Sequence, residues 1–142
     1  MLIIGENIHI ISPKVKAAFE TQDSKFIQDL AVRQVKHGAG MLDLNIGPQK
    51  KRGVEVMEWI VGAVQGVTDV PLSLDTTNVA AIEAGLKKVK HQPMINSTSA
   101  DPERLESMMP LAAKHNSKII ALTMGKSGIP TTADGRVQMA IE

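Results

Sequence analysis

Six side chains stand where a folded chain can gather them: Glu6, Asn7, Asp43, Asn45, Asp75 and Asn96. Each closes a short apolar run. They are carboxylates and carboxamides, and that pairing has a definite chemistry. A carboxylate accepts two hydrogen bonds at once, and an asparagine both donates and accepts. Such a set suits a flat heterocycle whose edge carries a ring N–H beside an exocyclic amine, as guanine and pterin rings do. The same groups could also satisfy one another, since buried polar groups need partners. Metal binding is a poorer match. There is no histidine cluster and no cysteine, and carboxylate and carbonyl oxygens of this kind suit only hard cations. No GxGxxG loop and no Walker loop is present, so nucleotide phosphates are not indicated.

The stretch Pro71-Leu72-Ser73-Leu74-Asp75-Thr76-Thr77-Asn78 shows how these groups are placed. Side chains alternate along a strand, so Leu72 and Leu74 share one face while Ser73 and Asp75 share the other. Thr76, Thr77 and Asn78 are all good helix N-caps. Val79, Ile82, Leu86 and Val89 then recur at helical spacing. Asp75 therefore sits at the carboxyl end of a strand, where ligands bind in parallel α/β folds.

The same pattern repeats along the chain. Leu2 to Asn7 is a first strand, in which Gly5 suggests a close approach to the backbone. His9 lies in an apolar setting and fits a hydrogen-bonded structural histidine better than a metal ligand. Asp23 or Ser24 caps a helix with Phe26, Ile27, Leu30, Ala31 and Val35 on its inner stripe, and Gly38 ends it. The strand from Gly40 to Pro48 alternates Leu42 and Leu44 with Asp43 and Asn45. Gln49-Lys50-Lys51-Arg52 is a short basic loop, which is usually solvated surface. Gly53 to Gln65 is a helix with Val54, Met57, Ile60, Val61 and Val64 on one stripe, and Trp59 falls outside it. After the Asp75 unit, a short strand ends at Asn96. Asp101-Pro102 opens a helix that Pro110 is expected to break or kink. Lys118 to Met124 is a fifth strand, ending at Thr123, and a further helix starts near Asp134.

Composition limits the alternatives. The 142 residues are 43% hydrophobic, enough to bury a core as one domain. Net charge is +1 and aromatics are 2%, so neither a nucleic acid nor a membrane surface is an expected partner. The absence of cysteine removes thiol nucleophiles, zinc–thiolate sites and iron–sulfur ligation from this chain. No apolar run has membrane length and no secretory signal pattern opens the chain, which makes a cytoplasmic location the expectation.

The expected fold class is α/β, with the rhythm of a (β/α)8 TIM barrel. After the second strand the strand ends follow one another at intervals of about 20 to 30 residues, the length of a βα unit. An intact barrel needs about 250 residues. The 142 residues supply about the first five units, so the chain is expected to be either the N-terminal portion of a longer barrel or an open parallel sheet. The helix at Asp134 looks cut in mid-pattern and favours the first.

Four motifs carry a resemblance: Gly5-Glu6-Asn7, Met41-Leu42-Asp43-Leu44-Asn45-Ile46-Gly47, Leu72-Ser73-Leu74-Asp75-Thr76-Thr77 and Ile95-Asn96-Ser97-Thr98-Ser99. In this order and spacing the chain resembles the pterin-binding methyltransferases, in particular the methyltetrahydrofolate:corrinoid/iron–sulfur protein methyltransferases. A dihydropteroate synthase would carry a Ser-Thr-Arg-Pro type continuation after the second strand, and this chain has Gly47-Pro48-Gln49-Lys50. The folate domain of cobalamin-dependent methionine synthase shares the plan and stays open as an alternative, as does a non-catalytic pterin-binding fragment.

The resemblance implies a barrel, usually dimeric, that binds 5-methyltetrahydrofolate at its carboxyl-end face. It implies transfer of the N5 methyl group to the Co(I) cobalamin (corrinoid) of a partner, such as a corrinoid/iron–sulfur protein. Asp75 and Asn96 match positions that hydrogen-bond the pterin, and Glu6, Asp43 and Asn45 match positions in or just behind that site. The family chain is nearly twice as long. The resemblance places its N5 proton donor in the later half, which has no counterpart among these residues. The loops Gln49 to Arg52 and Met124 to Thr132 would be candidates for meeting the corrinoid.

Overall fold

The structure is a computed structural model that describes residues 1–141. Five strands alternate with helices: β1 (Ile4–His9), α1 (Pro13–Thr21), α2 (Ser24–Lys36), β2 (Met41–Asn45), α3 (Gly53–Gln65), β3 (Leu72–Asp75), α4 (Val79–Leu86), β4 (Met94–Ser99), α5 (Pro102–Lys114), β5 (Lys118–Leu122) and α6 (Ala133–Ile141). The strands form one parallel sheet in the order β1-β2-β3-β4-β5. A doubly wound sheet reverses its strand order at a switch point, whereas a barrel adds each strand beside the last. The successive helices α2, α3, α4 and α5 also pack side by side. The fold is therefore a partial α/β barrel of five βα units.

The core lies between this helical layer and the outer face of the sheet. Leu42, Leu44, Leu72, Leu74 and Ile95 point into it and are essentially inaccessible. They meet Ile27 and Leu30 of α2, Met57, Ile60, Val61 and Val64 of α3, and Ile82 of α4. The alternating residues Asp43, Asn45, Ser73, Asp75 and Asn96 take the opposite face, toward the barrel interior. Gly85 lets α4 close on this core. A Cβ there would stand 2.8 Å from Leu74 Cδ1 and 2.9 Å from Met57 Cγ.

The caps fall where residue chemistry places them. The Asp23 carboxylate accepts from the Phe26 N–H, and Asn78 Oδ1 accepts from the Ala81 N–H. Gly38, at φ +99°, follows the last turn of α2. Gly5 answers to a close approach: its missing Cβ leaves room for Gln34 Oε1, which accepts the Asn7 N–H at 2.9 Å.

Several boundaries differ from expectation. β1 runs from Ile4 to His9, two residues later than expected, and its register against β2 shifts between Gly5 and Ile8. Glu6 and Asn7 thus sit within an irregular strand and not at its end. β4 continues past Asn96 to Ser99, and β5 ends at Leu122, one residue before Thr123. Helix α1 was not anticipated; only Val15, Ala18 and Phe19 of its nine residues are buried. Val54 and Val79 are exposed and stand outside the buried stripes of α3 and α4. Pro110 leaves α5 unbroken. It lies on the exposed side, so the Glu106 carbonyl that loses its N–H partner is available to water. Trp59 turns to α1 and α2, with its ring edge-on to Phe19 at 5.9 Å and its indole N–H on Ser24 Oγ at 2.9 Å.

Candidate functional site

Strands β2, β3 and β4 bring four of the five expected site residues side by side, in two hydrogen-bonded pairs, Asn45 with Asp75 and Asp43 with Asn96. In register, Asn45 lies opposite Asp75, and Asp75 lies opposite Asn96. One layer below, Asp43 lies opposite Ser73. Ser73 Oγ donates to Asp43 Oδ1 at 2.5 Å, and Asn96 Nδ2 donates to the same oxygen at 3.2 Å. Asn45 Nδ2 donates to Asp75 Oδ2 at 2.5 Å, while Asn45 Oδ1 accepts the Gly47 N–H at 3.0 Å.

These contacts give the two aspartates different tasks. Asp43 is only 4% exposed, and its Oδ1 already holds two donors, so it anchors Asn96 from behind. Asp75 is half-buried, and one oxygen is held by Asn45. Its Oδ1 accepts nothing from the protein among the described residues. Asn96 keeps its carbonyl oxygen and one N–H in the same position. The site therefore offers a free carboxylate oxygen beside a free amide, both fixed from behind.

Electrostatics set the protonation of this group. Burial, and then the neighbouring Asp43 charge, push the Asp75 carboxyl up to about 6; the Asn45 hydrogen bond opposes this and Glu6 adds to it. Burial also raises the Asp43 carboxyl, against the stabilising donors Ser73 and Asn96. Asp75 is therefore a carboxylate near neutral pH that protonates in mild acid. Glu6 is exposed on β1 and makes no side-chain hydrogen bond to the other four among the described residues; it reaches them only through its field.

The connections after these strands are tied together. Thr76 Oγ1 donates to the Gly47 carbonyl at 2.5 Å and accepts the Asn78 N–H at 3.1 Å. Asn78 Nδ2 donates to the Gln49 carbonyl at 3.0 Å. A cleft of about 280 Å³ opens beside Asp75 and Asn96, with Thr76, Ser97, Ser99 and Arg104 among its walls. The peptide between Asn96 and Ser97 is cis. A larger open groove of about 560 Å³ lies at the start of α3, away from the strand ends. Both of its carboxylates are paired within the groove, Glu55 with Arg52 at 2.7 Å and Glu58 with Lys88 at 3.9 Å. Ser73, Thr76 and Arg104 were missed as site residues. Alternation with Asp75 was the available signal for Ser73; nothing local to the sequence marks Arg104.

Residues 13–140 match the family described as pterin binding enzyme. The chain belongs to that family. Curated relatives match it along nearly its whole length. It is 30% identical over 141 residues, 98% of the chain, to the methylcorrinoid:tetrahydrofolate methyltransferase of Eubacterium limosum. It is 31% identical over 146 residues to the methionine synthase of Mycobacterium leprae, and 30% identical over the same length to that of Mycobacterium tuberculosis. The match covers 52% of the first relative and 12% of each methionine synthase. The chain thus spans about half the length of the first and a small part of the others. No helix among the described residues is long and apolar enough to cross a membrane, and no group of three or more potential metal-ligating side chains occurs among them.

Proposed function

We propose that this chain is the N-terminal, pterin-binding portion of a barrel methyltransferase. In this reading the enzyme binds 5-methyltetrahydrofolate and passes its N5 methyl group to the Co(I) corrinoid of a partner protein. The observation that carries the reading is the pairing of Asp75 Oδ1 with the free amide edge of Asn96, in a chain of a pterin-binding family. Ionised Asp75 accepts the ring N–H and the exocyclic amine of the pterin. Asn96 accepts or donates at the neighbouring ring atoms. Asn45 and Asp43 hold these two side chains in place.

Methyl transfer breaks the N5–CH3 bond and leaves the electron pair on N5. The corrinoid cobalt supplies the pair for the new bond. A neutral tertiary amine is a poor leaving group, so N5 must gain a proton or a strong hydrogen bond as the bond breaks. The carboxylates Asp43, Asp75 and Glu6 give the pocket a negative field that favours positive charge on the pterin. The proton donor is assigned to no residue of this chain. The name of the E. limosum relative writes the methyl group as moving from corrinoid to tetrahydrofolate. Both directions use one site, because the forward and reverse reactions share a transition state.

The match of two methionine synthases over 99% of the chain favours a second reading, in which the corrinoid is carried on the same polypeptide. Calorimetric titration with 5-methyltetrahydrofolate, followed by an optical assay with reduced cobalamin, tests the proposal. Saturable binding that Asp75→Ala abolishes in a folded sample supports it. Binding without methyl transfer makes the chain a pterin-binding fragment. Undiminished binding by the Asp75→Ala variant refutes the site.

A further inference from the structure

Arg104 lies third in α5, where a cation opposes the helix dipole. Burial also pulls its pKa down, with no neighbouring carboxylate acting on it. Such a placement needs another explanation, and the guanidinium fork supplies one. Nη1 donates to the Thr77 carbonyl at 3.0 Å, and Nη2 donates to the Thr76 carbonyl at 3.3 Å and the Ser97 carbonyl at 3.2 Å. Thr76 is the residue after Asp75, and Ser97 is the residue after Asn96. Arg104 therefore grips the backbone one peptide beyond each of the two groups that present their free polar edges to the cleft. The grip extends further, because Thr76 Oγ1 holds the Gly47 carbonyl and the Gly47 N–H holds Asn45, the partner of Asp75.

We propose that Arg104 is a positioning residue that fixes the spacing between Asp75 and Asn96, and through it the affinity for the pterin edge. The inference deepens the function proposed above and rests on it. A pair of hydrogen-bonding groups recognises a rigid ring edge only while their separation is held to a fraction of an ångström. Asp75 and Asn96 are the last register pair between β3 and β4. Beyond that pair the chain leaves the sheet after Asp75, while β4 runs on to Ser99 with an irregular register against β5, so no ladder bond ties the two segments there. One planar group bonded to both segments does. Lysine presents a compact head on a flexible stem and does not reproduce the fork.

The test compares the unaltered chain with R104A and R104K, at a temperature where circular dichroism shows all three folded. Titration with 5-methyltetrahydrofolate is expected to show a loss of about tenfold or more in both variants, the scale on which misplaced site groups act. Added methylguanidinium should restore affinity to R104A and none to Asp75→Ala, which a loss of overall stability would not mimic. Without ligand, the side-chain amide signals of Asn96 and Asn45 should move in R104A and return with methylguanidinium. Wild-type affinity in R104A and R104K, or unmoved amide signals, overturns the inference. If R104A does not fold, R104K carries the same comparison. If the unaltered chain binds no ligand, the proposed function fails, and the ligand-free amide signals still decide the role of Arg104.

Discussion

Lowering the pH should weaken pterin binding, and the structure gives the size of the effect. Asp75 presents its carboxylate to the cleft with a pKa pushed up to about 6 by burial and by Asp43. Only the ionised form accepts the ring N–H and the exocyclic amine together. At about pH 7 some nine-tenths of Asp75 is ionised, and at about pH 5 only about a tenth. The apparent dissociation constant scales inversely with the competent fraction, so it should rise about tenfold between those conditions. Calorimetric titration with 5-methyltetrahydrofolate across this range measures it. Asp75→Asn should bind weakly with a much flatter profile. Any titration of the ligand itself appears in that variant, so the difference between the two curves belongs to Asp75. Equal affinity at both ends of the range, or the same slope in Asp75→Asn, would refute the assignment of Asp75 as the acceptor.

Two further outcomes follow from the same packing. Between the ordinary carboxylate range and about 6, the folded state holds a proton on Asp75 that the unfolded chain has released. Stability should therefore fall as pH rises through that window, and Asp75→Asn should flatten the slope in urea denaturation. Gly85→Ala should cost about 1–3 kcal/mol by overpacking against Leu74 and Met57, despite alanine's better helix propensity; an unchanged melting temperature would contradict the contact distances.

The strand–helix rhythm was legible because most elements carry period and punctuation together. Asp23, Asn78 and Asp101 cap where their side chains accept backbone N–H groups. Strand alternation alone put Asp43 and Asn45, and Ser73 and Asp75, on one face. What sequence did not reveal has physical reasons. The Glu6-Asn7 pair reads as a strand end, but the irregular register with β2 lets an edge strand carry polar residues in its middle. Helix α1 is only nine residues long, and its buried stripe is just Val15, Ala18 and Phe19. Helix α3 is so apolar that no narrow stripe can be chosen, and Val54 was assigned to the wrong side. Within the site, residue type marked Asp43, Asn45, Asp75 and Asn96 equally. Only burial and the hydrogen bonds separate a half-buried acceptor with a free oxygen, Asp75, from a buried anchor, Asp43. Arg104 belongs to a connection made in three dimensions, to carbonyls 27, 28 and 7 positions away on the chain.

The most direct test of the account is residue-resolved amide shift mapping during titration of the chain with 5-methyltetrahydrofolate. The account predicts saturable shifts concentrated at residues 43–47, 73–78 and 95–99, around Asp75 and Asn96, with the helical side of α3 and α4 unmoved. Shifts centred on the groove at Arg52 and Trp59, or no shifts in a folded sample, would contradict it.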